Sequence, residues 1–183
     1  MRVFLPVATA CFTAALAPPL WAQSKHYATV GSWDVSWYVA TGGCLAFASF
    51  DGTGFFIGFD TKEEVPALDV TVLDDGWDRF EADEVYPVTV SFGEADPWTL
   101  DMQGVRMDGA PGLHILIDAT MDQSEVFIEE FQHERRMRWS VGEDELGTFT
   151  LAGSRRAFQT VLECQDDMGH DTETLVTTPV AAD

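Results

Sequence analysis

Carboxylates crowd one short stretch of this chain. Asp69, Asp74, Asp75, Asp78, Glu81, Asp83 and Glu84 all fall within residues 69–84. A turn that gathers carboxylate oxygens suits calcium, a hard cation that takes oxygen ligands. Asp74, Asp75 and Asp78 are the candidate ligands, although their spacing does not follow the EF-hand loop. The same groups can do acid–base work. Asp75 and Asp78 would serve as the acid and base of a hydrolase such as a glycosidase, where their separation across a cleft sets the outcome.

A second group has the opposite charge. Arg135, Arg136, Arg138, Arg155 and Arg156 make up half of the ten bases in the chain. Guanidinium forks grip carboxylates and phosphates through paired hydrogen bonds. If residues 136–141 and the last helix are neighbours, the five arginines form one patch for an anionic ligand. The alternative is internal pairing with the abundant acids.

The other chemical candidates are weaker. Glu130 and His133 have the Glu-x-x-His spacing of di-iron bundles, but those need two such pairs on facing helices. A solvated, charge-paired helix face accounts for a single copy. His114 alternates outward from an apolar strand and reads as solvent-facing. Ser154 lacks the flanking pattern of a nucleophile elbow and reads as a helix cap. Asp51-Gly52 reads as a hairpin turn rather than a protease loop. No phosphate-binding or dinucleotide fingerprint, and hence no cofactor, is indicated.

The compartment is written at the start. Arg2 precedes an uncharged apolar run, and small residues follow around Ala22. This is the layout of a secretory signal peptide over residues 1–23. It is too short and too interrupted by Pro18-Pro19 to form a stable membrane span. Cys11 would leave with the leader, and Cys44 and Cys164 would remain as an even pair in an oxidising space. They are expected to bond, closing a long loop. Redox-active pairs usually sit at Cys-x-x-Cys spacing, which these two lack.

Composition narrows the partners. The chain has 183 residues, 31 acids against 10 bases and a formal charge of −21. Nucleic acid needs clustered Lys and Arg to neutralise phosphates, so nucleic-acid binding is not expected. An anionic membrane surface is disfavoured for the same reason. The chain contains no Asn and therefore no N-glycosylation sequon. That suits a bacterial periplasm or exterior.

The elements that must position these groups are mostly strands. Trp33, Val35, Trp37 and Val39 alternate, as do Phe55, Ile57 and Phe59, then Leu68, Val70 and Val72. Further strands are predicted at 44–50, 86–92, 98–102, 105–107, 113–117, 137–141 and 149–151. Pro87 suggests a strand start or an edge, and 109–112 reads as a break. Two late helices are predicted. One starts at Ser124 with Phe127 and Phe131 four apart. The other starts at Gly153-Ser154 with Ala157, Phe158, Val161 and Leu162 on one face. The expected architecture is mainly β (α+β): an antiparallel β-sandwich or open barrel with two short helices late in the chain. Residues 24–165 would form a single β-rich domain and 166–183 a mobile acidic tail.

The two ends of this domain have a familiar look. Trp33-Asp34-Val35 is followed by Gly43-Cys44, and Phe149-Thr150-Leu151-Ala152-Gly153-Ser154 by Ala157 and Cys164. These segments resemble small periplasmic proteins of alphaproteobacteria, including the invasion-associated locus B group. The resemblance implies a periplasmic β-sandwich with a terminal helix and no enzyme activity. The extra cysteines usual in that group are absent, and the central region does not match.

The resulting expectation is a secreted or periplasmic, non-enzymatic protein that binds an envelope protein or small ligand. One alternative is an acidic inhibitor of a cationic enzyme such as a lysozyme, with charge steering the encounter. Another is a carboxylate-dependent hydrolase acting through residues 69–84.

Overall fold

The computed structural model describes residues 24–176, with side chains through Met168. The expected leader and residues 177–183 lie outside the described residues. The strands are β1 (Ser24–Val30), β2 (Trp33–Tyr38), β3 (Gly43–Phe50), β4 (Thr53–Asp60), β5 (Ala67–Leu73), β6 (Val85–Phe92), β7 (Trp98–Met107), β8 (Ala110–Asp118), β9 (Arg136–Val141) and β10 (Asp144–Thr150). The helices are α1 (Asp122–His133) and α2 (Ser154–Val176). All strands belong to one antiparallel sheet of order β1-β2-β3-β4-β5-β8-β7-β6-β9-β10.

The sheet curls onto itself around an aromatic core. Phe55 on β4 and Trp139 on β9 are several strands apart in the sheet, yet their rings lie 6.0 Å apart. Phe50 on β3 likewise meets Phe149 on β10 at 5.2 Å. Right-handed strand twist accumulates into this curvature. The barrel stays open, since β1 and β10 each pair with a single strand. Alternation along each strand puts Trp33, Val35, Phe55, Ile57, Leu68, Val70 and Val72 inside.

The helices fill the interior that the sheet leaves. Phe127 and Phe131 on α1 are fully buried, and Phe131 meets Trp33 at 5.5 Å and Phe158 of α2 at 6.2 Å. Helix α1 starts two residues earlier than expected, with Met121 at the N-cap position and no side-chain cap. Ser124 is inside the helix, and its hydroxyl donates back to the Asp118 carbonyl. Hydrogen bonds from the Thr120 hydroxyl and N–H hold the Asp118 carboxyl below its ordinary pKa.

Helix α2 packs Ala157, Phe158, Val161 and Cys164 against β2 and β3, while Leu162 points away and is exposed. The helix also runs on to Val176, where a mobile tail was expected from residue 166. Long-range contacts hold the first residues of this extension. Asp167 accepts the Tyr27 hydroxyl of β1 at 2.7 Å, and Met168 packs on the core. Strand β1 is exposed or half-buried along its length and pairs with β2, and its weak alternation gives no strand signal. Cys44 and Cys164 are bonded, with Cα atoms 6.1 Å apart. Beside them, Gln165 Oε1 accepts the Cys44 N–H at 3.0 Å. Among the described residues, no helix is long and apolar enough to cross a membrane.

Two prolines explain themselves through the topology. Pro87 pairs with β7 but lies just before β6 begins pairing with β9 at Val88. Pro111 pairs with β7 but lies just before β8 begins pairing with β5 at Gly112. Each stands where its strand has one neighbour, so the missing N–H breaks no central ladder. The turn between β7 and β8 is Asp108-Gly109, both at positive φ, and residues 110–112 belong to the strand rather than to a break. The two short strands expected around Gly104 are one, β7. The loop at 81–84 lies directly over Gly104, where a Cβ would come 2.0 Å from the Glu81 carbonyl oxygen.

Candidate functional site

The outer sheet face carries a groove across β2, β3, β4, β5, β8 and β7, with a volume of about 370 Å³. That is within the range of small-molecule sites. Register builds it. Phe56 on β4 stands opposite Thr71 on β5, and Thr71 stands opposite His114 on β8. One step along, Leu45 on β3 faces Gly58 on β4, which faces Asp69 on β5. Gly58 contributes no side chain to that row, and none fits, because a Cβ would come 2.0 Å from the Cys44 carbonyl oxygen. Asp69 therefore has no side chain directly opposite it on β4.

The walls are apolar and the floor is polar. Tyr38, Leu45, Phe56, Leu73, Val105 and Met107 line the sides, and Asp60 and Asp108 stand on the lining as well. The Tyr38 and Phe56 rings meet edge-on at 6.2 Å, and Phe47 tilts against Phe56 at 4.6 Å. Burial, and then the nearby Asp34 carboxylate, raise the Tyr38 phenol above its ordinary pKa.

Asp69 organises the floor. It is only 5% exposed. Its Oδ1 accepts the Thr71 hydroxyl at 2.8 Å and lies 3.4 Å from His114 Nε2. Its Oδ2 takes no hydrogen bond from any described residue. Oδ2 therefore opens onto the groove and is the acceptor that an arriving donor meets.

This site was not assembled by sequence reading. His114 was expected to face solvent, yet it lines the groove with its side chain 27% exposed. Asp69 appeared only as the first acid of a crowded stretch. The available signal was β5 itself, which alternates Leu68, Val70 and Val72 with Asp69 and Thr71. The missing part was the pairing of β5 with β8, which no local pattern specifies.

The sequence-chosen residues are elsewhere. Asp74 Oδ1 accepts the Gly76 N–H and its Oδ2 accepts the Thr53 hydroxyl, while Asp75 and Asp78 are exposed. Among the described residues, no three His, Cys, Asp or Glu side chains converge to hold a metal ion. The calcium candidates thus form no cluster, because the chain there is a loop whose first carboxylate already serves the turn. Glu130 accepts the Trp98 indole N–H at 2.6 Å, and the His133 ring bonds to the Glu129 carbonyl. The Glu-x-x-His pair is therefore spent on local contacts.

The arginines fall in two groups, Arg135, Arg136 and Arg138 at β9 and Arg155 and Arg156 at the start of α2, and α2 packs mainly on β2, β3 and α1 rather than on β9. Arg136 pairs with Thr150 and Arg138 with Thr148, and the Leu151 N–H donates to the Arg135 carbonyl. A short turn then leads to Arg155 and Arg156 in the first turn of α2. All five are exposed, and no carboxylate among the described residues is within ion-pair distance of any of them.

No family model, no curated protein and no solved structure matches this chain.

Proposed function

We propose that this is an exported, non-enzymatic binding protein that holds a small molecule in the groove on its outer sheet face. One observation carries the reading: a buried carboxylate, Asp69, stands in the floor of an apolar groove with one oxygen open to an occupant. Such pockets, apolar with a few convergent polar groups, are the usual form of ligand sites. The disulfide, the leader-like start and the likeness of the chain ends to periplasmic proteins support an envelope location. Native mass spectrometry of protein exported to a bacterial periplasm tests the reading. The expected result is an adduct of small-molecule mass that Val105→Trp, which fills the groove, removes. An identical adduct on the Val105→Trp protein would contradict it.

The exposed arginines of β9 and the start of α2 support a second reading, a cationic ridge with no carboxylate of the described residues within ion-pair distance. On that reading the ridge receives a carboxylate or phosphate of an envelope partner. Inorganic phosphate should then shift the amide signals of residues 135–138 and 155–156, and no shift there would rule the ridge out.

A further inference from the structure

We propose that the groove selects a cationic amphiphile, namely a primary or secondary ammonium group on an apolar body. This rests on the groove being the binding site and adds the chemical class of its occupant. Three carboxylates line the groove, Asp60, Asp69 and Asp108, against a single imidazole and no Lys or Arg. The local field therefore favours a positive charge, and the chain's charge of −21 draws cations toward it.

The position of the charge follows from Asp69. Thr71 and His114 both face Oδ1, so Oδ2 remains as the acceptor. An N–H donor there makes a charge-assisted bond, shorter and stronger than a neutral one. A quaternary ammonium has no N–H and cannot make it. The body of the ligand then lies on Phe56, Leu73, Val105 and Met107, with the Tyr38 ring closing one side. Aromatic faces beside a bound cation add further attraction.

Calorimetric titration of the full-length exported protein at low salt tests this with four probes of one chain length: octylamine, octyltrimethylammonium, octanol and octyl sulfate. Octylamine should bind about tenfold more tightly than octanol, the difference between a charge-assisted and a neutral hydrogen bond. Octyltrimethylammonium should fall between them, and octyl sulfate should be weakest. Asp69→Asn should remove the preference for octylamine over octanol while leaving octanol binding in place. Asp108→Asn, at an exposed position, should weaken octylamine about twofold by reducing the field. Equal binding of octylamine and octanol, both lost in Val105→Trp, would overturn the cation selectivity but keep the groove as the site. Tighter binding of octyl sulfate would overturn the proposed class. Probe binding unaffected by Val105→Trp, or none at all, would overturn the groove reading and this proposal with it.

Discussion

Asp69 and His114 sit on adjacent strands with Nε2 of the imidazole 3.4 Å from Oδ1 of the carboxylate. They are not direct partners. Thr71 is opposite His114, and Asp69 is opposite Leu116, so the contact runs diagonally across the β5–β8 ladder. Diagonal neighbours on one face are within reach of long side chains. The geometry lets Thr71 and His114 share one carboxylate oxygen and leave the other to the groove.

The Thr71 hydroxyl should have a measurable role in holding that carboxylate. Thr71→Val keeps the shape and removes the donor to a buried acceptor. We expect a loss of about 1–2 kcal/mol in urea unfolding, with an unchanged m-value. A neutral result would mean that His114 alone satisfies Asp69.

The disulfide joins residues 120 apart in sequence and ties α2 to β3. Chain-entropy arithmetic gives about 4–5 kcal/mol for a loop of that length. Reduction with dithiothreitol should lower stability by an amount of this order. Cys44→Ser/Cys164→Ser should reproduce it without reductant. A difference under about 1 kcal/mol would show that the helix docks without the bond.

Two buried tryptophans should respond differently to the same change. Trp33 Nε1 donates to the Ala152 carbonyl at 3.0 Å, whereas Trp139 Nε1 is buried with no partner among the described residues. Both replacements by Phe lose similar volume. Trp33→Phe also abandons a hydrogen bond, while Trp139→Phe relieves an unsatisfied donor. We expect Trp33→Phe to cost about 1–3 kcal/mol more. Equal losses in chemical denaturation would indicate that the Trp139 N–H is satisfied in solution.

Alkaline titration reports on the groove wall. The Tyr38 phenol is raised by burial and by Asp34, so in the folded protein it ionises above the ordinary tyrosine range. Because ionisation is easier in the unfolded chain, the sign is fixed. Tyr38 has no effect on stability below its unfolded pKa and lowers stability as pH rises beyond it. The absorbance change of tyrosinate should be delayed in wild type, and Tyr38→Phe should remove one late-ionising phenol. Tyr27, raised by its hydrogen bond to Asp167, should remain late. Loss of no late phenol in Tyr38→Phe would contradict the burial of that ring.

Gly58 should tolerate no side chain. Gly58→Ala brings a Cβ against the Cys44 backbone, which cannot yield as a flexible side chain would. A destabilisation of about 3 kcal/mol is expected from such overpacking, read as a lowered melting temperature. An unchanged melting temperature would show that β3 and β4 can separate there at little cost.

The strands and helices were largely legible because alternation marks the core face directly. Trp33, Phe55, Ile57 and Val70 all point inward as their spacing requires. The disulfide was legible from two cysteines and a compartment. What escaped depended on distant chain segments meeting. The outward residues Asp69, Thr71 and His114 look like ordinary solvent-facing alternates until β5 is placed beside β8. Likewise, β1 and the end of α2 support each other through Tyr27 and Asp167, 140 residues apart, and neither carries a strong local pattern.

The most direct test of the account is a two-dimensional amide and imidazole NMR titration of the exported protein with octylamine. The prediction is a saturable shift at Asp69, Thr71 and the His114 ring, spreading to Phe56 and Val105 and absent in Val105→Trp. Saturable shifts centred away from these strands, or none at the His114 ring, would contradict the groove as the binding site.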